Sequence, residues 1–215
     1  MTEPAFRPPI LSYEDINKYA EDFLRDHNID DTLPVPIEEI VDVHLKIDIV
    51  PFPDLQRNFD IEGFISRDFK SIYVDEYIYN NRITRYYFTL AHEIGHYVIH
   101  KDLIERIRPS SVADWKDFIH KVDDESYGWL EYQAYAFAGL VLVPRKSLYK
   151  HFSSQLKDIE HKIKFAKAQE FPKDTYQEYV IEAIAGNLTG MYDVSLSALK
   201  RRISKEVEIG KLHIP

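Results

Sequence analysis

The sequence predicts an α+β fold, in which a few short strands are flanked by helices. Two observations support this prediction: three short segments in the first third of the chain have the alternating pattern of strands, and longer segments of helical periodicity surround them. The chain has 215 residues and is 45% hydrophobic, so it can bury a sizeable core. We expect residues 1–145 to form the main domain and residues 146–215 a helical C-terminal extension.

The N-terminal part is predicted to combine helices with three strands. After a proline-rich arm over residues 1–11, Ser12 followed by Asp15 predicts a capped helix to about residue 26, and a short helix begins after Pro36. The strand-like segments lie at residues 45–50, 61–66 and 71–75. Residues 82–100 then have a helical pattern that is apolar nearly all round, which indicates a helix at the centre of the domain.

The C-terminal part is predicted to be helical. An acidic turn at residues 123–125 precedes one of these helices, and Pro144 ends it. The last two helices are separated by a turn at residues 190–193, and Ser195 or Ser197 is expected to cap the second of them. The predicted helices lie at residues 115–122, 127–143, 146–170 and, as a pair, 175–205.

Charge and composition exclude several classes of protein. The formal net charge of −9 argues against a general binder of nucleic acid or anionic membranes, because such proteins need a positive excess. The absence of cysteine excludes disulfides and thiol catalysis, so any metal must be held by His and carboxylates. The N-terminus lacks a signal-peptide pattern, and the longest apolar run, residues 136–143, is too short to span a bilayer. We expect a cytoplasmic location and no membrane partner.

The segment FTLAHEIGHYVIH, residues 88–100, contains a candidate metal site. His92 and His96 are four residues apart, so on a helix they project from the same face and can offer nitrogens to one ion. Glu93 can reach a water on that ion as a general base without binding the metal itself. A chance occurrence of the pattern is the alternative. Its position inside an apolar helix argues against chance, because buried polar groups need partners.

A catalytic ion needs a third protein ligand. His100 lies a further turn along the helix, about 5.4 Å away, and Asp102 belongs to a pattern that needs a glycine where Ile99 stands. We therefore favour Glu131, which begins a stripe of small residues that would let two helices approach closely; a capping or dipole role for it is the alternative. Glu125 is the reserve choice. The candidates considered are His100, Asp102, Glu125 and Glu131.

The stretch FTLAHEIGHYVIH, followed by LEYQAYAFAGLVLVP, resembles the ImmA/IrrE family of bacterial metallopeptidases. The resemblance implies a zincin-like core, with a small twisted sheet packed on a central HExxH helix and an edge strand that receives substrate. It also implies one Zn²⁺ per chain, held by His92, His96 and Glu131, with Glu93 as the catalytic acid/base. Tyr135 stands where the family usually has Asn, so the groups that orient the ligands differ here.

Family members typically cleave one partner, often a helix-turn-helix repressor, and so induce genes for mobile elements or stress responses. The resemblance therefore implies a zinc endopeptidase that acts on a protein substrate in transcription regulation. Two further hypotheses stay open: a binding or sensing module with a structural metal, and a DNA-binding regulator. The basic end of the last helix, at Lys200, Arg201 and Arg202, would serve DNA contact. A packing role for that helix fits the acidic chain better, so nucleic acid is not expected as the main partner.

Overall fold

The computed structural model of the chain describes residues 8–28, 31–107 and 122–215. These residues form a three-stranded sheet and a larger set of helices, which confirms the α+β prediction. Within these ranges, no helix combines the length and apolar character that a membrane span needs. The surface helix predicted around residues 115–122 lies almost entirely outside the described residues.

The N-terminal helices form where the sequence predicts them. Helix α1 (Tyr13–His27) begins with a capping box: Ser12 Oγ accepts from the Asp15 N–H at 3.2 Å, and the Asp15 carboxylate accepts from the Ser12 N–H at 2.9 Å. The two bonds satisfy donors that a helix leaves free in its first turn. Helix α2 (Ile37–Glu39) is short and continues as a π-helical turn over Ile40–His44.

The sheet has the order β1-β3-β2, with β1 (Asp48–Phe52) parallel to β3 (Ser71–Asp75) and β2 (Gly63–Ile65) antiparallel to β3. The prediction that β1 begins at residue 45 is wrong, because Lys46 has a left-handed φ of 57° and extended backbone starts only beyond it. Helix α3 (Leu55–Phe59) follows β1 and is not predicted from the sequence.

The central helix packs against the sheet. Helix α4 (Glu76–Asn81) leads into α5 (Ile83–Ile99), which corresponds to the helix predicted over residues 82–100. Strand β2 approaches α5 closely at Gly63, where a Cβ atom would lie 2.7 Å from Thr89 Cγ2 and 2.9 Å from the Tyr73 carbonyl oxygen. Only glycine permits this distance between strand and helix.

Among the described residues, α5 is followed by α6 (Lys101–Ile107) and α7 (Asp124–Leu142). The prediction of an acidic turn at residues 123–125 is wrong, because Asp124 and Glu125 already belong to the first turn of α7. Asp123 lies before them, and its carboxylate accepts from the Ser126 N–H at 2.9 Å. Acidic side chains are favourable at this end of a helix because of the helix dipole.

The remaining helices are α8 (Arg145–Asp158), α9 (Glu160–Ala168), α10 (Lys173–Tyr192) and α11 (Leu196–Glu208). The single helix predicted over residues 146–170 is wrong, because the backbone leaves helical geometry at Ile159, whose side chain is buried. Helix α10 runs through the predicted turn as far as Tyr192, and Asp193, with a φ of 53°, makes the turn. Ser195 caps α11 as predicted, accepting from the Ala198 N–H at 3.1 Å.

The chain divides into two compact units. The first consists of the described residues of Met1–Thr32 and Pro36–Val141, and the second of Leu33–Val35 and Leu142–Pro215. The first unit contains the sheet, α5 and nearly all of α7, and the second contains α8 to α11. The division into domains at residue 145 stays a prediction.

Candidate metal centre

The structure brings together the three residues predicted as metal ligands. His92 Nε2 lies 3.1 Å from His96 Nε2 and 3.2 Å from a Glu131 carboxylate oxygen, and His96 Nε2 lies 3.6 Å from the other oxygen. Ligands at about 2.0–2.1 Å from a tetrahedral zinc ion lie about 3.3–3.4 Å from one another. The three side chains therefore have the spacing of ligands that share one ion.

Helix α7 can bring Glu131 to this point because it approaches α5 closely. A Cβ atom on Gly95 would lie 3.0 Å from the Ala134 Cα and 3.1 Å from the Ala134 carbonyl oxygen. Ala134 is one helical turn beyond Glu131 on the same face of α7. The expectation that small residues on the Glu131 helix let two helices approach closely is confirmed.

The other candidate ligands do not join the group. In the described part of the chain, the residues placed to hold one ion together are His92, His96 and Glu131. Asp102 and Glu125 are exposed to solvent. His100 contacts His96, but at Nδ1, the ring nitrogen that does not face His92 and Glu131. The preference for Glu131 thus agrees with the geometry, while its role as a ligand stays a prediction.

The candidate centre opens into a cleft of about 230 Å³. His96 is almost fully buried, whereas the side chains of His92 and Glu131 keep 13% and 28% of their surface exposed. The cleft is lined by strand β2 and by aromatic side chains of the helices, among them Phe88, Tyr127 and Tyr135. An ion held here would keep a position open to solvent or substrate, as catalytic zinc sites do.

The side chain of Glu93, a residue of the central helix α5, contacts strand β2 of the sheet. Its carboxylate accepts a hydrogen bond from the Ile65 N–H of β2 at 2.9 Å. Burial raises the pKa of Glu93 to about 7; the charge of Glu131 adds to the rise, while the charge of His92 and the Ile65 N–H oppose it. Its carboxyl group therefore exchanges a proton readily near neutral pH, as a general acid/base requires.

The two histidines differ in their preference for a proton. Burial alone would lower the pKa of His92, but the hydrogen bond to Glu131 and the charges of Glu93 and Glu131 outweigh it, so that pKa is raised. Burial and the charges of His92 and His100 hold the pKa of His96 well below its usual value. Zinc binds neutral imidazole, so an ion entering the site competes with a proton at His92 but not at His96.

Tyr135, which replaces the family's usual Asn, packs against a candidate ligand. Its ring is 4.9 Å from that of His92 in an edge-on arrangement and 5.2 Å from that of Phe88. The buried Nδ1 atom of His92 has no hydrogen-bond partner among the described residues. His92 is therefore oriented by aromatic packing and by Glu131.

Sequence reasoning missed Tyr127, which lines the cleft and interacts with the Glu131 carboxylate. Burial, together with the charge of Glu131, raises the pKa of Tyr127, so it remains a hydrogen-bond donor near neutral pH. The signal that could have found it is the spacing of four residues, since a helix places such residues on the same face. Gln133, which hydrogen-bonds to His100 at 2.9 Å, was missed as well.

Two of the three basic residues named for DNA contact, Lys200 and Arg202, form ion pairs within their own unit, while Arg201 is exposed. Lys200 Nζ lies 2.7 Å from a Glu182 carboxylate oxygen and 3.4 Å from one of Glu178. Arg202 is buried and forms an ion pair with Glu206, which is itself fully buried. This arrangement favours the packing interpretation of α11 over DNA contact.

Comparison with protein families gives a match over most of the chain. The model described as the IrrE N-terminal-like domain, a peptidase family, matches residues 44–204. The match covers most of the chain and includes the whole candidate metal centre. No curated protein matches the chain.

Proposed function

The chain belongs to the peptidase family of the IrrE N-terminal-like domain, and on this premise we propose that it is a zinc-dependent endopeptidase that hydrolyses a peptide bond in a regulatory protein. The observation that carries the proposal is the convergence of His92, His96 and Glu131 at tetrahedral ligand spacing. Glu93 lies beside them with a pKa of about 7. These features together suit metal-assisted hydrolysis.

The three candidate ligands and Glu93 have different roles in the proposed hydrolysis. His92, His96 and Glu131 would hold the ion. When bound, zinc supplies a Lewis acid that polarises a carbonyl and makes water more acidic. Glu93 takes a proton from the attacking water and passes it to the leaving amine, because a carboxyl with a pKa of about 7 can serve in both forms. The Ile65 N–H keeps the Glu93 carboxylate oriented during both transfers.

The cleft suits an extended peptide. Strand β2 is at the edge of the sheet, and its residues Gly63, Phe64 and Ile65 line the cleft. A substrate segment can pair with the outward backbone groups of such an edge other than the Ile65 N–H, which bonds to Glu93, while aromatic residues of the cleft contact its side chains. A folded protein would have to present a loop or an unfolded segment to enter, which favours a narrow choice of substrate.

We further propose that the substrate is a helix-turn-helix transcriptional repressor, the class that the family resemblance implies. Cleavage of such a repressor would relieve repression of genes for a stress response or a mobile element. It would also require the chain to act in the cytoplasm. Co-expression with candidate repressors, followed by detection of cleavage fragments, tests this substrate class.

A non-catalytic module with a structural metal is the second candidate function. It is favoured by Tyr135 and by the unpartnered Nδ1 of His92 among the described residues. These show that one ligand lacks the hydrogen bond that usually orients a catalytic metal ligand. Under this alternative the chain would bind metal and a repressor without cleaving it.

Metal analysis and mutagenesis separate these possibilities. We expect about one zinc ion per purified chain, lost in His92→Ala and retained in Glu125→Gln, which removes a carboxylate outside the cleft. The absence of metal after purification with zinc would refute both candidate functions. Glu93→Gln should retain the metal and lose cleavage of the repressor. Undiminished cleavage by that variant would refute the general-base role, and binding without cleavage by the unmodified chain would favour the module.

A further inference from the structure

A row of hydrogen bonds leads from the candidate metal centre through buried side chains to the backbone of Pro9, within the first unit. His96 Nδ1 lies 3.1 Å from His100 Nδ1, and His100 Nε2 lies 2.9 Å from Gln133 Oε1. Gln133 Nε2 then donates to the Pro9 carbonyl oxygen at 2.5 Å. The side chains of His96, His100 and Gln133 are buried, with exposed fractions of 3%, 1% and 0%. We call these four groups the hydrogen-bond row.

The chemistry of the last group fixes the direction of every bond in the row. The Pro9 carbonyl can only accept, so the amide nitrogen of Gln133 must face it and the amide oxygen must face His100. That oxygen also only accepts, so His100 carries its proton on Nε2 and leaves Nδ1 as an acceptor. His96 must then carry its proton on Nδ1. Its Nε2 is left as a lone pair that points toward His92 and Glu131.

We propose that His100 and Gln133 are positioning residues, which hold His96 in the tautomer that can bind a metal ion before the ion arrives. The inference deepens the proposed function and rests on the metal site described there. A neutral histidine free in water exchanges between two tautomers, and only the one with a bare Nε2 can bind from this position. Fixing that tautomer removes the free-energy cost of converting the imidazole before the ion binds. Residues that hydrogen-bond to metal ligands have this effect in other proteins.

The contrast with the other imidazole supports a dedicated role. His92 has no hydrogen-bond partner at its buried Nδ1 among the described residues and packs against the Tyr135 ring. No acceptor at Nδ1 therefore keeps the Nε2 of His92 free of a proton, and the Glu131 carboxylate lies 3.2 Å from that Nε2, whereas the Nε2 of His96 is left bare through three successive bonds. If these side chains only filled space, apolar side chains could replace them without changing the affinity for the metal.

The first test measures the tautomers directly and needs no metal. Histidine labelled with ¹⁵N in the metal-free chain, at about pH 8 where ordinary imidazoles are neutral, reports which ring nitrogen carries the proton. We expect the Nδ1–H tautomer for His96 and the Nε2–H tautomer for His100. An Nε2–H tautomer or a mixture at His96 would overturn the proposal.

The second test measures zinc affinity by competition with a chelator. His100→Leu removes both the acceptor and the donor, and we expect zinc to bind about 10- to 100-fold more weakly. His100→Gln is the matched variant: its amide oxygen can accept from His96 and its amide nitrogen can donate to Gln133, so the affinity should stay within about threefold of the original. Equal affinity in all three chains would overturn the proposal.

A further variant covers the case in which His100→Leu does not fold. The tautomer measurement separates failure of this inference from failure of the proposed function. Should His100→Leu fail to fold, Gln133→Leu removes the acceptor for His100 and should weaken zinc binding in the same direction. A chain that binds no zinc in its unmodified form refutes the proposed function. The tautomer of His96 in that chain still decides the present inference, so the two failures are distinguishable.

Discussion

Replacing Glu93 with Gln should stabilise the metal-free chain at alkaline pH. Glu93 is only 5% exposed, and its pKa rises from 4.5 to about 7 in the folded chain. A rise of about 2.5 at about 1.36 kcal/mol per pKa unit corresponds to about 3 kcal/mol. Because the folded chain holds this proton more tightly than the unfolded chain, stability falls as the pH rises from 4.5 through 7. Gln stays neutral, and its amide oxygen can still accept from the Ile65 N–H.

Urea unfolding in the presence of a chelator, at about pH 4 and about pH 9, measures this difference on both sides of the titration. Glu93→Gln should match the original chain at the lower pH and exceed its free energy of unfolding by about 3 kcal/mol at the higher pH. Glu105→Gln, which removes an exposed carboxylate of α6, should show almost no pH-dependent difference. If Glu93→Gln brings no gain at the higher pH, the carboxylate ionises without penalty and the account of its raised pKa is wrong.

Three further predictions concern helix contact, helix capping and metal binding. Gly95→Ala should lower the free energy of unfolding by about 1–3 kcal/mol, because the new Cβ would lie 3.0 Å from backbone of α7. Gly128→Ala, with no other group within 4 Å, should raise it by up to about 1 kcal/mol; equal effects would contradict the close contact. Ser195→Ala should lower it by about 1 kcal/mol through loss of the cap, and Ser197→Ala by less than half of that, and urea unfolding that ranks them the other way would refute the capping role. Zinc affinity measured by calorimetry should fall as the pH decreases, because the pKa of His92 is raised and the ion must displace the proton bound there; a flat profile would count against that ligand.

The local part of the metal site could be predicted from the sequence because it depends on one helix. A spacing of four residues places His92 and His96 on the same face whatever surrounds them. Glu131 is on another helix, and it was identified through the stripe of small residues that it begins, together with the family resemblance. The close approach of α5 and α7 shows that these small residues do carry information about packing.

The far end of the hydrogen-bond row could not be predicted. Pro9 and Gln133 are 124 residues apart, and nothing in the pattern around either residue indicates the other. A backbone carbonyl is present at every position, so its use as an acceptor leaves no trace in residue type. His100 was set aside as a ligand from the sequence, and the role proposed for it beside His96 depends on this distant contact.

The errors in the predicted secondary structure arise at single residues whose backbone conformation departs from that of their neighbours. The alternation over residues 45–50 predicts a strand, but the left-handed conformation of Lys46 delays it to residue 48. The helix predicted over residues 146–170 breaks at Ile159, where neither proline nor glycine marks the position. In both cases the side-chain pattern is preserved across the break, so periodicity alone cannot locate it.

The most direct test of the central claim is to crystallise the chain with zinc and locate the ion by anomalous scattering at the zinc edge. The predicted result is a single peak within about 2.0–2.2 Å of His92 Nε2, His96 Nε2 and a carboxylate oxygen of Glu131, with a further position open to the cleft. A peak bound elsewhere, or coordination of the ion without Glu131, would contradict the account.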